Sequence, residues 1–461
     1  MMISEAYKKF VKDSEEKSFD KEHRRKLNFN ISKYDTAVIK GKQQYKNIEL
    51  AKKRAGNIKH RVINNLDKYL IEFEANFTKR GGKVIWATDS DQAMSEIVDI
   101  LKKYDVKNLV KSKSMITEEI DLNEVLKHHK IDSLETDLGE YIVQIAGERP
   151  YHIITPIMHK SKEDVALLFN EKFGTPKDMN PTEIAGFVRK LLREKFINAD
   201  AGITGGNFLI ADIGGVVVTE NEGNAMMSVS FPKVHIAIVG IEKMIPSIQD
   251  LDLFLPLLAT HGTGQNITVY NSILTGPQHD GEIDGPMDMY VVLLDNQRTE
   301  VLKRKEQRRA MSCIRCGACL NGCPIYRSIG GHAYGTTYSG PIGAVIAPLM
   351  KGLGEYKHLS FASSLCAKCS EVCPVKIPLH ELLLHNRNDS VKEVNPAIFE
   401  KITMWGWKKL MLNRKLMDLG SVKFKNKALK LVFSKLWGNR REVPFLAKKS
   451  FHQLWKEKRG F

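Results

Sequence analysis

The 461-residue chain is 43% apolar and 27% charged, enough for two or three domains with real cores. Its net charge is +16, yet residues 391–461 hold 18 Lys and Arg against five acids, a balance of +13, so the first 390 residues carry only +3. With no secretory apolar run in "MMISEAYKKFVKDSEEK" and no later stretch of about 18 uninterrupted apolar residues, the composition excludes an integral membrane span and predicts a cytoplasmic protein whose thiols stay reduced.

Residues 1–46 are polar, charged and weakly patterned, an N-terminal arm that either docks or stays mobile. In "IELAKKRAGNIKHRVINNLDKYLIEFEANF", Leu50, Ile58, Ile63, Leu66, Leu70 and Phe73 recur near a helical period and predict one long amphipathic helix, ended by Gly81 and Gly82. "KVIWA" then reads as a buried strand, with Asp89 or Ser90 capping the helix "DQAMSEIVDILKKY". The alternation continues through "NLVKS", "TEEIDLNEVLKHH", "SLETD", "YHIITP" and "SKEDVALLFNEKFG". It predicts a largely parallel, doubly covered sheet. The runs "NFLIADIGGVVVTEN", "VHIAIVG", "ITVYNSIL" and "MDMYVVLLDN" are expected to complete that sheet near residue 296. From "RTEVLKRKEQRRAM" onward the pattern is helical, broken only around the cysteines. The organisation is thus an arm at 1–46, an α/β domain at 47–297, a helical cysteine domain at 298–390 and a basic extension at 391–461.

All seven cysteines lie between Cys313 and Cys373. In a reducing compartment such clustering points to metal rather than to disulfides. Cys313, Cys316, Cys319, Cys323 and Pro324 form C-x2-C-x2-C-x3-C-P, the ferredoxin run in which the fourth cysteine serves the other cluster. "CAKCSEVCP" adds Cys366, Cys369, Cys373 and Pro374. Crossed ligation then assigns Cys313, Cys316, Cys319 and Cys373 to one [4Fe-4S] cluster, and Cys323, Cys366 and Cys369 to a second. With three thiols, the second is either a [3Fe-4S] species or a cubane with a non-cysteine or open fourth position. His332, His358 and His380 are nearby candidates for that position, beside water, a partner's side chain or a substrate carboxylate. Zinc also uses C-x2-C pairs, but four cysteines in one such run would crowd a single ion. Two clusters held this way suit one-electron transfer.

The α/β region has neither G-x-G-x-x-G after a strand nor a P-loop. Its glycine-rich loops are "GITGGNF" at Gly202 to Phe208 and "HGTGQN" at His261 to Asn266, the second of which either offers N–H groups to an anion or simply turns the chain. "TENEGN" follows the apolar run "GGVVV", where such sheets place ligand-binding residues. There Glu220, Asn221 and Glu222 are the catalytic candidates, with helix capping and loop bracing as the alternative. The basic extension holds Trp405, Trp407, Trp437 and Trp455, four of the five tryptophans, a composition suited to an acidic partner, an anionic membrane surface or a solvated helical extension. No nucleic-acid partner is expected.

"TDLGEYIVQIAGERPYHIITPIMHK", "GITGGNFLIADIGGVVVTENEGNA", "PKVHIAIVGIEK", "HGTGQN", the two cysteine runs and "YSGPIG" together closely resemble the lactate-utilisation iron-sulfur protein B family, from about residue 50 to the C-terminus. The resemblance implies a lactate-utilisation domain related to the sugar-isomerase and CoA-transferase fold, then a di-cluster ferredoxin-like domain and a C-terminal extension. It implies a part in oxidising L-lactate to pyruvate with two partner proteins, one rich in cysteine motifs and one a lone lactate-utilisation domain. All seven cysteine positions carry over. "TENEGN" looks similar to the glutamate loop of CoA transferases, although the extra Glu222 argues against covalent acyl chemistry at Glu220. No flavin or nicotinamide motif is visible to accept a hydride, so the main expectation is an electron-transferring subunit whose chain alone need not be catalytic, cytoplasmic or peripheral at the inner membrane face. The alternatives are an α/β domain that itself converts an acid or CoA-like substrate, with the clusters as outlet, and a redox-sensing scaffold.

Overall fold

The computed structural model describes residues 4–394, 398–437 and 442–459. Among the described residues the apolar runs build ten strands: β1 (Lys83–Ala87), β2 (Asn108–Lys111), β3 (Asp132–Glu135), β4 (Ala201–Thr204), β5 (Phe208–Ile210), β6 (Gly215–Glu220), β7 (Val234–Gly240), β8 (Met244–Ile245), β9 (Tyr270–Leu274) and β10 (Asp288–Leu294). Six form a parallel sheet in the order β1-β10-β7-β4-β2-β3. Its central strand β7 is buried at every position, as a strand covered on both faces must be. Cores on the two faces centre on Ile97, Leu101, Ile236 and Val292 on one side and Phe73, Phe77, Val239 and Val291 on the other.

The remaining strands do not join this sheet. The order β8-β5-β6-β9 makes a second one, antiparallel except for β5 against β8, where a single parallel sheet was expected. An apolar run reports burial, not which sheet buries it. The segment "YHIITP" is not a strand either: Tyr151 and His152 are buried in a turn-rich stretch. The predicted long helix is two, Ile48–Ile63 and Leu66–Lys79. The Asn64 and Asn65 amides bond back to His60 O and Arg61 O, both at 2.8 Å, the local competition that makes asparagine a poor helix-interior residue.

Residues 2–394 form one compact unit, so the cysteine region and the α/β region share a core in which Phe208 and Phe254 belong to the same cluster as Cys316, Cys319 and Cys373. The N-terminal arm is helical, Glu5–Phe19 and Lys21–Gly41, and packs onto this unit. Leu27 and Ile31 are fully buried, His23 Nε2 meets Tyr151 Oη at 2.6 Å, and Asp35 pairs with Arg327 at 2.6 Å. Residues 395–461 form a second unit, with helices Ile398–Met411, Arg414–Asp418, Val422–Trp437 and Phe451–Arg459. Trp405, Trp407 and Trp455 are exposed there, while the Trp437 side chain lies outside the described ones. Among the described residues no helix is long and apolar enough to cross a membrane.

Candidate functional site

All seven cysteines are free thiols, and the fold sorts them into two groups. Cys313, Cys316, Cys319 and Cys373 line one small apolar cavity with Ile153, Ile314 and Ile342. Burial pushes the Cys316 and Cys319 thiols upward, and repulsion from Cys313 and Cys373 adds to it. Cys373 is pushed up to about 11, first by burial and then by Cys313. Cys323 is raised by burial and by Cys366, and Cys369 to about 11 by burial and then by Cys323 and Cys366. Each run therefore sends its last cysteine to the other run's group.

The two runs also share one backbone. Arg315 and Leu365 are both left-handed, at φ 60° and 54°. So are Gly317 and Ala367, at 74° and 62°, each opening a one-turn helix, Ala318–Asn321 or Lys368–Glu371, that carries the next cysteine. A Cβ at Gly317 would meet Ile154 and His152 at 3.1 and 3.3 Å, so glycine keeps this loop tight. Arg315 N–H points to Cys313 Sγ and Ile377 N–H to Cys373 Sγ, both at 3.4 Å. Among the described residues, no three Cys, His, Asp or Glu side chains converge as ligands of a single ion. Four soft donors around an apolar cavity, with N–H groups aimed at their sulfurs, are what a thiolate-held cluster requires.

Beside the four-thiol group lies a cavity of about 500 Å³ at the carboxyl ends of β2, β4 and β7, where open α/β sheets bind ligands. Ser112–Ser114 follow β2, Gly205–Asn207 follow β4, and Glu242 and Lys243 follow β7. A buried charge network forms its floor. Arg298 donates from Nε to Glu242 at 2.6 Å and from both terminal nitrogens to Glu119 at 2.9 and 2.8 Å. Tyr338 Oη donates to Glu119 at 2.6 Å. Arg315 stacks on the Tyr338 ring at 4.2 Å and pairs with Glu242 at 3.4 Å, tying the cysteine loop to the sheet. Burial alone would raise Glu242, but Arg298 and Arg315 hold its carboxyl down at about 2. Gly240 leaves room for the Glu242–Arg298 pair, since a Cβ there would lie 2.2 Å from Glu242 Oε2 and 2.6 Å from Arg298 Nε and would displace them. Lys59, fully buried and brought down to about 7 by that burial, donates to Glu242 O at 2.6 Å and Met244 O at 2.9 Å, fixing the turn that presents Lys243. Lys243 lines the cavity, is lowered to about 8 by burial and Arg315, and has no hydrogen bond or ion pair among the described residues.

Glu220, Asn221 and Glu222 all line this cavity, yet each already has local work. Glu220 accepts from Ala225 N at 2.7 Å and Met226 N at 3.0 Å, capping the helix Asn224–Ser230. Asn221 pairs with the Gln265 amide at 2.9 and 3.1 Å. Glu222 accepts from Leu138 N at 3.1 Å and is raised to about 7 by burial and then by Asp137. "HGTGQN" turns the chain against the arm: a Cβ on Gly264 would sit 2.3 Å from Ala37 C. His332 Nε2 meets Arg149 O at 2.7 Å, His380 Nδ1 meets Ser370 Oγ at 2.7 Å, and the His358 ring packs on Tyr7 and Phe10. Sequence reading missed Lys243, Arg298, Arg315 and Tyr338. Lys243 was findable as a cation just past "VHIAIVG", a strand apolar but for His235, and Arg315 as the one charged residue inside the first cysteine run.

Residues 70–294 match the LUD domain family and residues 309–377, which hold every cysteine, match the 4Fe-4S dicluster domain family. The molecule is thus a parallel-sheet α/β domain followed by a helical region with a ferredoxin-like iron-sulfur domain. The chain is 45% identical over 371 residues to "Lactate utilization protein B" of Bacillus subtilis (strain 168), covering 80% of this chain and 77% of the relative. It is 41% identical over 434 residues to the protein of that name from Bacillus cytotoxicus, covering 92% and 91%. Among solved structures, a DUF162 family protein from Deinococcus radiodurans aligns with 50% of this chain and 98% of its own at 12% identity and a TM-score of 0.29, too slight a likeness to carry an argument.

Proposed function

The chain belongs to the lactate utilization protein B family, and on that premise we propose that it is the iron-sulfur electron-transfer subunit of a complex oxidising L-lactate to pyruvate. The crossed grouping of the seven thiols carries this reading. Cys313, Cys316, Cys319 and Cys373 hold one [4Fe-4S] cluster; Cys323, Cys366 and Cys369 hold a second, either [3Fe-4S] or a cubane with one iron lacking a thiolate. Bound clusters accept and pass electrons one at a time. Removing a hydride equivalent from a 2-hydroxy acid needs a two-electron acceptor, which we assign to one of two further lactate-utilisation proteins, one rich in cysteine motifs and one a lone lactate-utilisation domain. The basic extension serves as the docking element toward them or toward an anionic membrane surface.

Anaerobically purified protein is expected to carry about seven or eight irons per chain with matching sulfide. Lactate-dependent bleaching of its absorbance is expected only with the partner proteins present. Stoichiometric zinc with little iron would overturn the cluster reading.

One observation favours a second reading, in which the α/β domain binds the acid itself and the clusters are its outlet: Arg315, which lies between Cys313 and Cys316 in sequence, lines the cavity, whose Lys243 ammonium is unpaired among the described residues. Reduction of the purified chain by lactate alone, as fast as in the mixture, would establish it.

A further inference from the structure

The two cysteine runs coincide at an offset of 50 residues: Cys316 with Cys366, Cys319 with Cys369, Cys323 with Cys373, and Pro324 with Pro374. The backbone follows the same offset, as the paired left-handed residues and one-turn helices show. Cys313 at this offset falls on Ser363, the position of the missing eighth ligand. The equivalence extends to a hydrogen bond. Arg315 N–H points to Cys313 Sγ at 3.4 Å, and Leu365 N–H points to Ser363 Oγ at 3.1 Å, the same two-residue loop with oxygen in place of sulfur. Two other contacts fix the Ser363 backbone: its N–H bonds Phe361 O at 2.8 Å, and its carbonyl accepts from Arg387 at 3.1 Å.

We propose that Ser363 Oγ is the fourth protein donor of the second cluster, binding the one iron that Cys323, Cys366 and Cys369 leave without a thiolate. The inference rests on the two-cluster reading above. Ligation replaces the Ser363 O–H bond by an O–Fe bond and releases one proton. Ser363 is half-buried and its neighbour Cys366 exposed, so that proton has a route to solvent. No electron is transferred in the step. A single hard oxygen among soft sulfurs makes this iron distinct and the easiest to lose. It also frees the histidines from the role, consistent with the partners that His332 and His380 already hold.

The experiment compares anaerobically prepared wild type, Ser363→Cys and Ser363→Ala, each checked for total iron and for the signal of the four-thiol cluster. Under ferricyanide titration, Ser363→Cys is expected to suppress conversion of the second cluster to [3Fe-4S]+ in electron paramagnetic resonance, because it completes a four-thiolate set. Ser363→Ala is expected to accelerate that conversion by at least about tenfold, the lower end of what losing even an outer partner costs a metal site. In 57Fe Mössbauer spectra one iron of the second cluster should be distinct in wild type and should change in both variants. Identical oxidation rates and spectra for wild type and Ser363→Ala would show that Ser363 is not a donor. A Ser363→Cys protein that still loses one iron at the wild-type rate would place residue 363 away from the cluster. Only about four irons per chain in wild type would instead remove the second cluster, and with it the functional reading.

Discussion

The four-thiol and three-thiol sites have nearly the same backbone and unequal surroundings. Cys316, Cys319 and Cys373 are buried in the core shared with the α/β domain, and the loop between Cys313 and Cys316 carries Arg315 into the charge network beneath the 500 Å³ cavity. At the three-thiol site Cys323 and Cys369 are buried in the same core, but Cys366 is exposed, and the place of Arg315 is taken by the apolar Leu365. One local fold thus yields an inner site tied to a buried cation network and an outer site that shares the core through Cys323 and Cys369 but opens to solvent at Cys366. Since burial, nearby charge and hydrogen bonds to sulfur set cluster potentials, clusters held at the two positions would be electrochemically unequal. On the proposed electron-transfer reading, the inner site would exchange electrons with whatever occupies the cavity, the outer one with a partner at the surface.

The largest effects that test this contrast come from the thiols. Cys366→Ser is expected to leave a folded protein with about four irons, the outer site alone being lost. Cys316→Ser should remove the inner cluster and, because that thiol sits in the shared core, also lower soluble yield and thermal stability. Iron analysis and thermal denaturation of both variants check this; equal losses of stability would erase the distinction between inner and outer.

Oxidation should separate the sites next. Mild ferricyanide treatment is expected to produce one [3Fe-4S]+ signal, from the outer site, which Cys366→Ser abolishes while the inner cluster persists. If Cys373→Ser removes that signal and Cys366→Ser leaves it, the crossed assignment is wrong.

This division was only partly legible in the sequence. Ligand spacing is a local property, so C-x2-C-x2-C-x3-C-P and C-x2-C-x3-C-P marked all seven thiols as ligand candidates, and in the fold Cys313, Cys316, Cys319 and Cys373 line one cavity. Strand-helix alternation likewise revealed the parallel sheet. What escaped depends on long-range packing. The fully buried "GVVV" reads the same in either sheet, and the arm's polar pattern hides Leu27 and Ile31, which bury only against distant residues. Glu220 and Asn221 drew attention as carboxylate and amide in a loop, but their partners Ala225 N and Gln265 are visible only in the fold. Lys243 and Arg315 lie 72 residues apart in sequence and become neighbours through the network around Glu242.

That network supplies a third test, intermediate in size. Glu242→Gln leaves Arg298 and Arg315 short of a counter-charge, and breaking such a buried pair costs about 3–5 kcal/mol. The Glu242 carboxyl titrates at about 2 in the fold against an ordinary value of 4.5. Its contribution is therefore full above pH 4.5 and is lost as pH falls toward 2. Denaturant unfolding should show the variant destabilised at neutral pH, with the gap to wild type narrowing below pH 4.5. The damage should reach the inner cluster's spectrum and spare the outer one; the reverse would dissociate the network from the four-thiol site.

The smallest effect is expected from the basic extension, which bears on where the outer site would deliver electrons on the proposed reading. Residues 395–461 form their own unit, with Trp405, Trp407 and Trp455 at 64, 56 and 46% exposure. Lys409 lies over Trp405 at 5.9 Å and Arg459 over Trp455 at 4.4 Å, so basic and aromatic groups are presented together. An exposed charge surface attracts an acidic partner or anionic lipid only within about 10 Å at 0.1 M salt, so its contribution should fade as salt rises. Deleting residues 395–461 is expected to leave iron content and both cluster spectra nearly unchanged. Co-sedimentation with anionic vesicles, or association with the partner proteins, should weaken, most clearly at low salt. Slower partner-dependent reoxidation of the outer cluster, with the inner one still reducible, would tie the extension to the surface end of the relay. Loss of either cluster on truncation would show instead that the extension is part of the structure holding them.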